Sequence, residues 1–352
     1  MTTLHILSNP NSVTHKEYMM DAYNNAIPNF ISGMMKYDYE LIHYGHEKSQ
    51  VACEHVTVIT SEDNDIDPLS NKPLIVDNRL IQIFCENASR ELKKRKKKGD
   101  IILCFLGVWN QNAVKDHSDL LIVEPGIGYA LDATFAPYKV FTSYSQMHYY
   151  YGLNKMFSNP SWFDSVIPCS FNVEDFEFCD DKDDYFLFLG RVNEDKGIHL
   201  CIQIAEHINK KLIIAGPGDL KSMGYANLPS NISHIGYCNP RQRKKLLSKA
   251  KALIAPSYYI EPFGNIVIES LMSGTPVITS DWGGFVDTCI NGLTGYRCRS
   301  FKDFINATKN IDQISSEKCR EYAVNNFSIE VVSKKYDEYF SKLINKDFYA
   351  DY

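Results

Sequence analysis

Short apolar runs recur along this chain, each followed by a longer amphipathic stretch, and that alternation restricts the fold more than any other feature. The first half carries LHIL, ELIHY, VTVIT, IILCFLG, LLIVEP, KVFTSY and SVIP; the second carries YFLFLG, KLIIAG, ISHIG, ALIAPS and PVITS. Runs this short and this apolar suit strands buried on both faces of a parallel sheet. The intervening stretches of about 10 to 20 residues supply the crossover helices of βαβ units. At 352 residues the chain is long for one core and suits two. Around 160–184, two prolines and a dense acidic patch precede a fresh strand, which is linker chemistry. The expected division is a first doubly wound domain over 1–165, completed by the end of the C-terminal helix at 335–352, and a second over 166–334. The tail from Ser328 reads as one helix with a serine N-cap; the simpler expectation is that it closes the second domain, the alternative that its end returns to the first. No repeat of fixed period occurs.

Composition removes several function classes. A net charge of −6 gives no general electrostatic case for nucleic acid. Ten cysteines are scattered without a C-x-x-C or a zinc spacing, and they read as reduced thiols of a cytoplasmic protein. The N-terminal MTTLHILSNPNS lacks the basic and apolar regions of an export signal, and no apolar run is long enough to span a membrane. The basic run LKKRKKKGD at 92–100 reads as a solvated helix end facing the negative pole of the dipole, stopped by Gly99; a peripheral membrane contact is its other reading.

Chemistry concentrates in EPFGNIVIES, residues 261–270. A strand and loop lead into a helix of about two and a half turns that ends at Gly274. Free N–H groups and a positive dipole end at its start make a seat for an anion, and Gly264 admits a ligand close to the backbone. The amides of Phe263, Gly264, Asn265 and Ile266 form that seat. Glu269, four residues after Asn265, is placed to accept hydrogen bonds from a ribose diol, and Glu261 to meet a sugar hydroxyl at the ligand's other end. An E-x7-E pair alone also describes two solvated glutamates. The loop after YFLFLG adds Arg191 and Lys196 at a helix entrance, two cations suited to a diphosphate; ion pairing of these cations with Glu194 or Asp195 is the structural alternative. AGPGD, with Gly216, reads as a turn lining the same cleft.

LGRVNEDKG, IIAGPGD, HIGY and APSYYIEPFGNIVIESLMSGTPVITSDWGGFVDTCINGLTGY, in this order over about 184–300, resemble the C-terminal domain of the retaining family-4 glycosyltransferases of GT-B fold. The resemblance implies an α/β protein of two Rossmann-like, doubly wound domains facing an interdomain cleft. It implies a UDP- or GDP-sugar donor held mainly by the second domain. Arg191 and Lys196 would hold the diphosphate, Glu269 the ribose and Glu261 the donor sugar, with Gly236 and Tyr237 bordering the base. The turn Gly292 to Gly295 would be structural. The first domain departs from the pattern. Its first loop, SNPNSVTHKEY, has no glycine, and Val123 precedes Glu124-Pro125 where many members have a histidine. Gly126 and Gly128 form a loop that would replace the glycine turn. His148 is the leading displaced histidine, ahead of His15 and Lys16.

The expected reaction is transfer of a sugar to a hydroxyl of a glycan, glycoconjugate or lipid, with retention. Catalysis would rest on Arg191, Lys196, Glu261 and His148. No cofactor is expected beyond the donor substrate, and no metal, since no D-x-D lies near the cleft loops. A nucleotide-sugar epimerase of GT-B type and a non-catalytic nucleotide-sugar binder are the alternatives. A dehydrogenase is disfavoured because no G-x-G-x-x-G follows the first strand.

Overall fold

A computed structural model describes residues 1–15, 23–67 and 75–345 of the chain. They form two units: one comprises Met1–Thr142, Met147–Ser170 and the chain from Ile329, the other Ser143–Gln146 and Phe171–Ser328.

The first unit contains β1 (Thr2–Leu7), α1 (Tyr23–Met34), β2 (Tyr39–His46), β3 (Glu54–Ile59), α2 (Asn78–Arg95), β4 (Ile101–Cys104), α3 (Val108–Val114), β5 (Leu121–Ile127), β6 (Tyr138–Phe141), most of α4 (Tyr144–Leu153) and β7 (Ser165–Val166). Its strands pair in parallel in the order β3-β2-β1-β4-β5-β6-β7. The continuous apolar runs are explained by two cores. Leu4, Ile6, Ile101, Leu103 and Val123 share one with α1, while Leu7, Ile102 and Cys104 share the other with α2. Alternate residues of a strand point to opposite faces, so burial of both faces leaves no position for a polar stripe.

The basic run ends α2, but Gly99 does not stop the helix. The cap is Lys96 in an extended conformation, and Gly99, at φ +95°, lies in the turn beyond it. Among the described residues, four of the run's six cations are paired: Lys94 and Arg95 with Glu91, Lys96 with Asp119 at 2.5 Å and Lys97 with Glu40 at 3.7 Å.

The second unit contains β8 (Tyr185–Leu189), α5 (Ile198–Ile208), β9 (Lys211–Ala215), β10 (Ile232–Gly236), α6 (Pro240–Lys249), β11 (Ala252–Ala255), α7 (Asn265–Met272), β12 (Val277–Ser280), α8 (Phe285–Thr288), β13 (Gly295–Cys298), α9 (Phe301–Asn310) and α10 (Ser316–Phe327). Its parallel sheet runs β10-β9-β8-β11-β12-β13. From β8 the chain builds outward to β9 and β10, then returns to the other side of β8 as β11. Such a reversal of strand order is where open α/β sheets hold their ligands, by the loops leaving β8 and β11. Strand β13 is missing from the apolar runs because it is short and carries Arg297; Gly295, read as part of a turn, is its first residue.

Ser328 caps the C-terminal end of α10, and α11 (Ile329–Asn345) follows directly. Of the two readings of the tail, its return to the first domain agrees with the structure and closure of the second does not. Val332, Tyr336, Tyr339, Phe340 and Leu343 of α11 join the first unit's core, and Tyr336 meets the Phe30 ring edge-on at 5.1 Å. Each such burial stabilises by about 1.5–3 kcal/mol, which is what draws the helix there. The return starts at Ile329 rather than 335, and the division falls at 170/171 rather than 165/166.

Candidate functional site

The loops leaving β8 and β11 meet through backbone contacts. The carbonyl of Asp195 accepts from the N–H groups of Tyr258 at 2.8 Å and Tyr259 at 3.1 Å. The Lys196 N–H donates to Asn193 Oδ1 at 3.0 Å. Gly197 takes φ +73°, and a Cβ there would sit 2.0 Å from the Pro256 carbonyl, so only glycine lets the loops approach this closely.

That approach brings together two of the expected residues, Lys196 and Glu261. The Lys196 ammonium forms an ion pair with Glu261 Oε1, in place of the local partners Glu194 and Asp195. Ser257 Oγ lies 3.1 Å from the same carboxylate oxygen and 3.0 Å from the Asp195 carbonyl, with one hydrogen to share. The ammonium also stands 5.2 Å over the Tyr259 ring. Glu261 is 8% exposed, and a carboxylate that buried needs the partners it has here. Its Oε2 has no hydrogen-bond partner among the described residues. Arg191, at the mouth of the first loop, is exposed and makes no ion pair among the described residues.

Beside the pair, α7 begins. Its N-cap, Gly264, has φ +87°, and a Cβ there would meet the Phe285 ring at 2.6 Å. Val267 N–H already bonds the Gly264 carbonyl at 2.9 Å, which leaves the amides of Asn265 and Ile266 in the unsatisfied first turn. The Phe263 side chain is core, edge-on to Phe327 at 5.7 Å, so only its backbone is available to a ligand. Neighbouring loops hold the segment in place. The Gly284 N–H donates to the Glu261 carbonyl at 2.6 Å, and Ser143 Oγ to the Pro262 carbonyl at 2.5 Å.

Glu269 lies in the second turn of α7, its side chain 14% exposed, and is held by Arg243 of α6: Nε is 2.7 Å from Oε2, and Nη2 bonds the same oxygen. Across the sheet, the Gly216 N–H donates to the Gly236 carbonyl at 2.7 Å, tying together the turns after β9 and β10; Tyr237 next to it is 38% exposed. Burial raises the Cys238 thiol above its ordinary range, against the lowering effect of Arg243.

The remaining candidates lie in the first unit. Gly126, at φ +67°, and Gly128 shape the end of β5 and the loop after it. Val123, where the family resemblance led to the expectation of a histidine, is buried in the core. Glu124, next to it, accepts from the N–H groups of Phe135 and Ala136 and from the Tyr129 hydroxyl, all at 3.0–3.2 Å. Burial nevertheless raises its pKa to about 7. His148 is exposed on α4 and His15 half-buried; Lys16 lies outside the described residues. Arg243 and Ser257 were not anticipated. The signal for Arg243 was the NPRQ stretch: Asn239 and Gln242 form a capping box that starts α6 at Pro240 and places Arg243 one turn in.

Residues 173–327 match the family Glycosyl transferases group 1. The group 1 region covers nearly all of the second unit, Phe171–Ser328. Over 167 aligned residues the chain is 34% identical to an uncharacterized glycosyltransferase of Methanocaldococcus jannaschii, covering 44% of this chain and 42% of that one. The chain spans less than half the length of the relatives of known sequence that it matches first. Over the whole chain the fold is similar to that of the sucrose-phosphate synthase of Thermosynechococcus elongatus, with a TM-score of 0.75, 18% identity and coverage of 98% and 100%. It is also similar to an Anabaena protein solved in complex with UDP-glucose, with a TM-score of 0.69, 12% identity and coverage of 97% and 100%. The architecture is thus two parallel-sheet, Rossmann-like α/β domains, as in the GT-B glycosyltransferases. Among the described residues, no helix is long and apolar enough to cross a membrane, and no group of three or more His, Cys, Asp or Glu is arranged to hold a metal ion.

Proposed function

We propose that this chain transfers a sugar from a nucleoside-diphosphate sugar to a hydroxyl acceptor, with retention at the anomeric carbon. The observation that carries the reading is the Lys196–Glu261 pair at the reversal point of the second sheet, next to the start of α7. A cation, a partly free carboxylate and first-turn amides gathered there suit a pyrophosphate that bears a sugar. The group 1 match supports the reaction class, and the Anabaena complex supports UDP-sugars as the first donors to try.

In this reading Glu261 positions the donor sugar, accepting a sugar hydroxyl on Oε2 while Lys196 and Ser257 hold Oε1. As the bond to the anomeric carbon breaks, negative charge grows on the β-phosphate. Arg191, Lys196 and the amides of Asn265 and Ile266 stabilise that charge more in the transition state than in the ground state. These fixed donors do the electrostatic work, and the reading assigns no metal to the step. The leaving phosphate takes the acceptor's proton. Gly126, Gly128 and His148 are assigned to the acceptor-side domain, and a glycan, glycoconjugate or lipid hydroxyl is the acceptor class. A cytoplasmic location belongs to the same reading.

The test is incubation with a panel of UDP-, GDP- and ADP-sugars, following release of nucleoside diphosphate and the identity of the sugar. Slow release supports transfer. A changed sugar without release would replace the reading with an epimerase, and binding without either change with a non-catalytic binder.

A further inference from the structure

Glu269 is gripped on one side only. Both Arg243 contacts go to Oε2, and Oε1 has no hydrogen-bond partner among the described residues. The pair is mostly withdrawn from solvent, with side-chain exposures of 22% for Arg243 and 14% for Glu269. The guanidinium is itself firmly placed. Pro240 opens α6, the Asn239 side chain accepts from Gln242 N–H at 2.9 Å, and Arg243 N–H donates to the Asn239 carbonyl at 2.9 Å. The anchored guanidinium fork converges on Oε2, holding that oxygen and leaving Oε1 as the acceptor open to a ligand.

We infer that Arg243 is a positioning residue that makes this site select ribonucleotides. It orients Glu269 so that Oε1 accepts from the cis-diol of a ribose, and nucleotides lacking those hydroxyls are rejected. The inference rests on the donor-site reading above. Without the fork, Glu269 would rotate and share its oxygens with water, and the diol would lose its acceptor while the diphosphate kept its cations. Arg243 therefore acts on discrimination between nucleotides, which a purely structural ion pair would leave unchanged.

The experiment is calorimetric titration of the full chain with UDP, GDP and ADP, and with the 2′,3′-dideoxy form of whichever binds. Charge-assisted hydrogen bonds of this kind make the wild type favour the ribonucleotide by at least about tenfold. Arg243→Met and Glu269→Gln should each bring that ratio below about threefold, and Arg243→Lys, a point charge without the fork, should fall between. Thermal unfolding reports whether each variant folds; if Arg243→Met does not, Arg243→Lys carries the comparison. Arg243→Met that weakens both nucleotides equally and keeps the ratio would overturn the role of Arg243 and leave the donor site standing. A wild-type chain that binds none of the three diphosphates would overturn the donor-site reading, and this inference with it.

Discussion

Replacing Lys196 by methionine should separate two roles of one residue. The change keeps the length and apolar stem of the side chain and removes its charge. Glu261, 8% exposed, then keeps Ser257 Oγ as its one remaining partner among the described residues. Breaking a fully buried pair from one side costs about 3–5 kcal/mol. Here the side chains are 22% and 11% exposed, so solvent screens part of that loss and about 2 kcal/mol is expected. For a unit of this size that lowers the melting temperature by about 4–8 °C. In the proposed donor site the lost cation faces the charge that develops on the leaving phosphate, so turnover should fall further, by about 10²–10³-fold. The double variant Lys196→Met/Glu261→Gln separates the effects. Removing the stranded charge restores most of the stability, and turnover stays low because no cation returns. The assays are differential scanning calorimetry and donor hydrolysis on the panel above. If Lys196→Met melts with the wild type and turns over within about twofold of it, the pair is incidental. If the double variant regains turnover, Lys196 served only to neutralise Glu261.

Four further outcomes are expected. Arg191→Met should cut turnover far more than donor affinity, since Arg191 has no ground-state partner among the described residues; equal falls in kcat and donor binding would assign it to holding the ground state. Gly264→Ala should destabilise the second unit by at least about 1–3 kcal/mol, seen in denaturant unfolding, because φ is +87° and the new Cβ meets Phe285 at 2.6 Å. Treatment with EDTA should leave turnover unchanged, and a loss restored by Mg²⁺ or Mn²⁺ would move the electrostatic role from Arg191 and Lys196 to a metal. Glu124 gives a pH signature. Its folded pKa of about 7 lies above the ordinary 4.5, so the native state binds the extra proton between those values, and stability falls as pH rises through that window. At about 1.4 kcal/mol per pKa unit the loss is on the order of 3 kcal/mol, and Glu124→Gln should flatten the slope in urea titrations at pH 5 and pH 7.5.

The strands were legible wherever burial on both faces wrote a continuous apolar run, as in IILC of β4 and YFLFL of β8. Strand β13 was not, because GYRC carries a charge and is too short to show a period. The start of α7 was legible from Gly264, a residue whose backbone freedom acts locally. The end of α2 was misread because several residues near Gly99 could stop a helix, and the extended Lys96 did so first. The NPRQ stretch marks the start of α6 but gives Arg243 no role, because its partner lies 26 positions away.

By itself, the sequence determined the layers, the crossovers, the helix start at Gly264 and the presence of two cations in the loop after β8. All of these follow from the apolar period and from backbone preferences that act between near neighbours. Tertiary structure alone decided that Lys196 pairs with a glutamate 65 positions away, that Arg243 takes one oxygen of Glu269, and that α11 packs into the first unit from Ile329 rather than only at its end. Those outcomes depend on β11 returning to the side of β8 and on which apolar face was left uncovered. Charges and apolar stripes are readable one residue at a time, but their partners are chosen only when the sheet order makes distant loops adjacent.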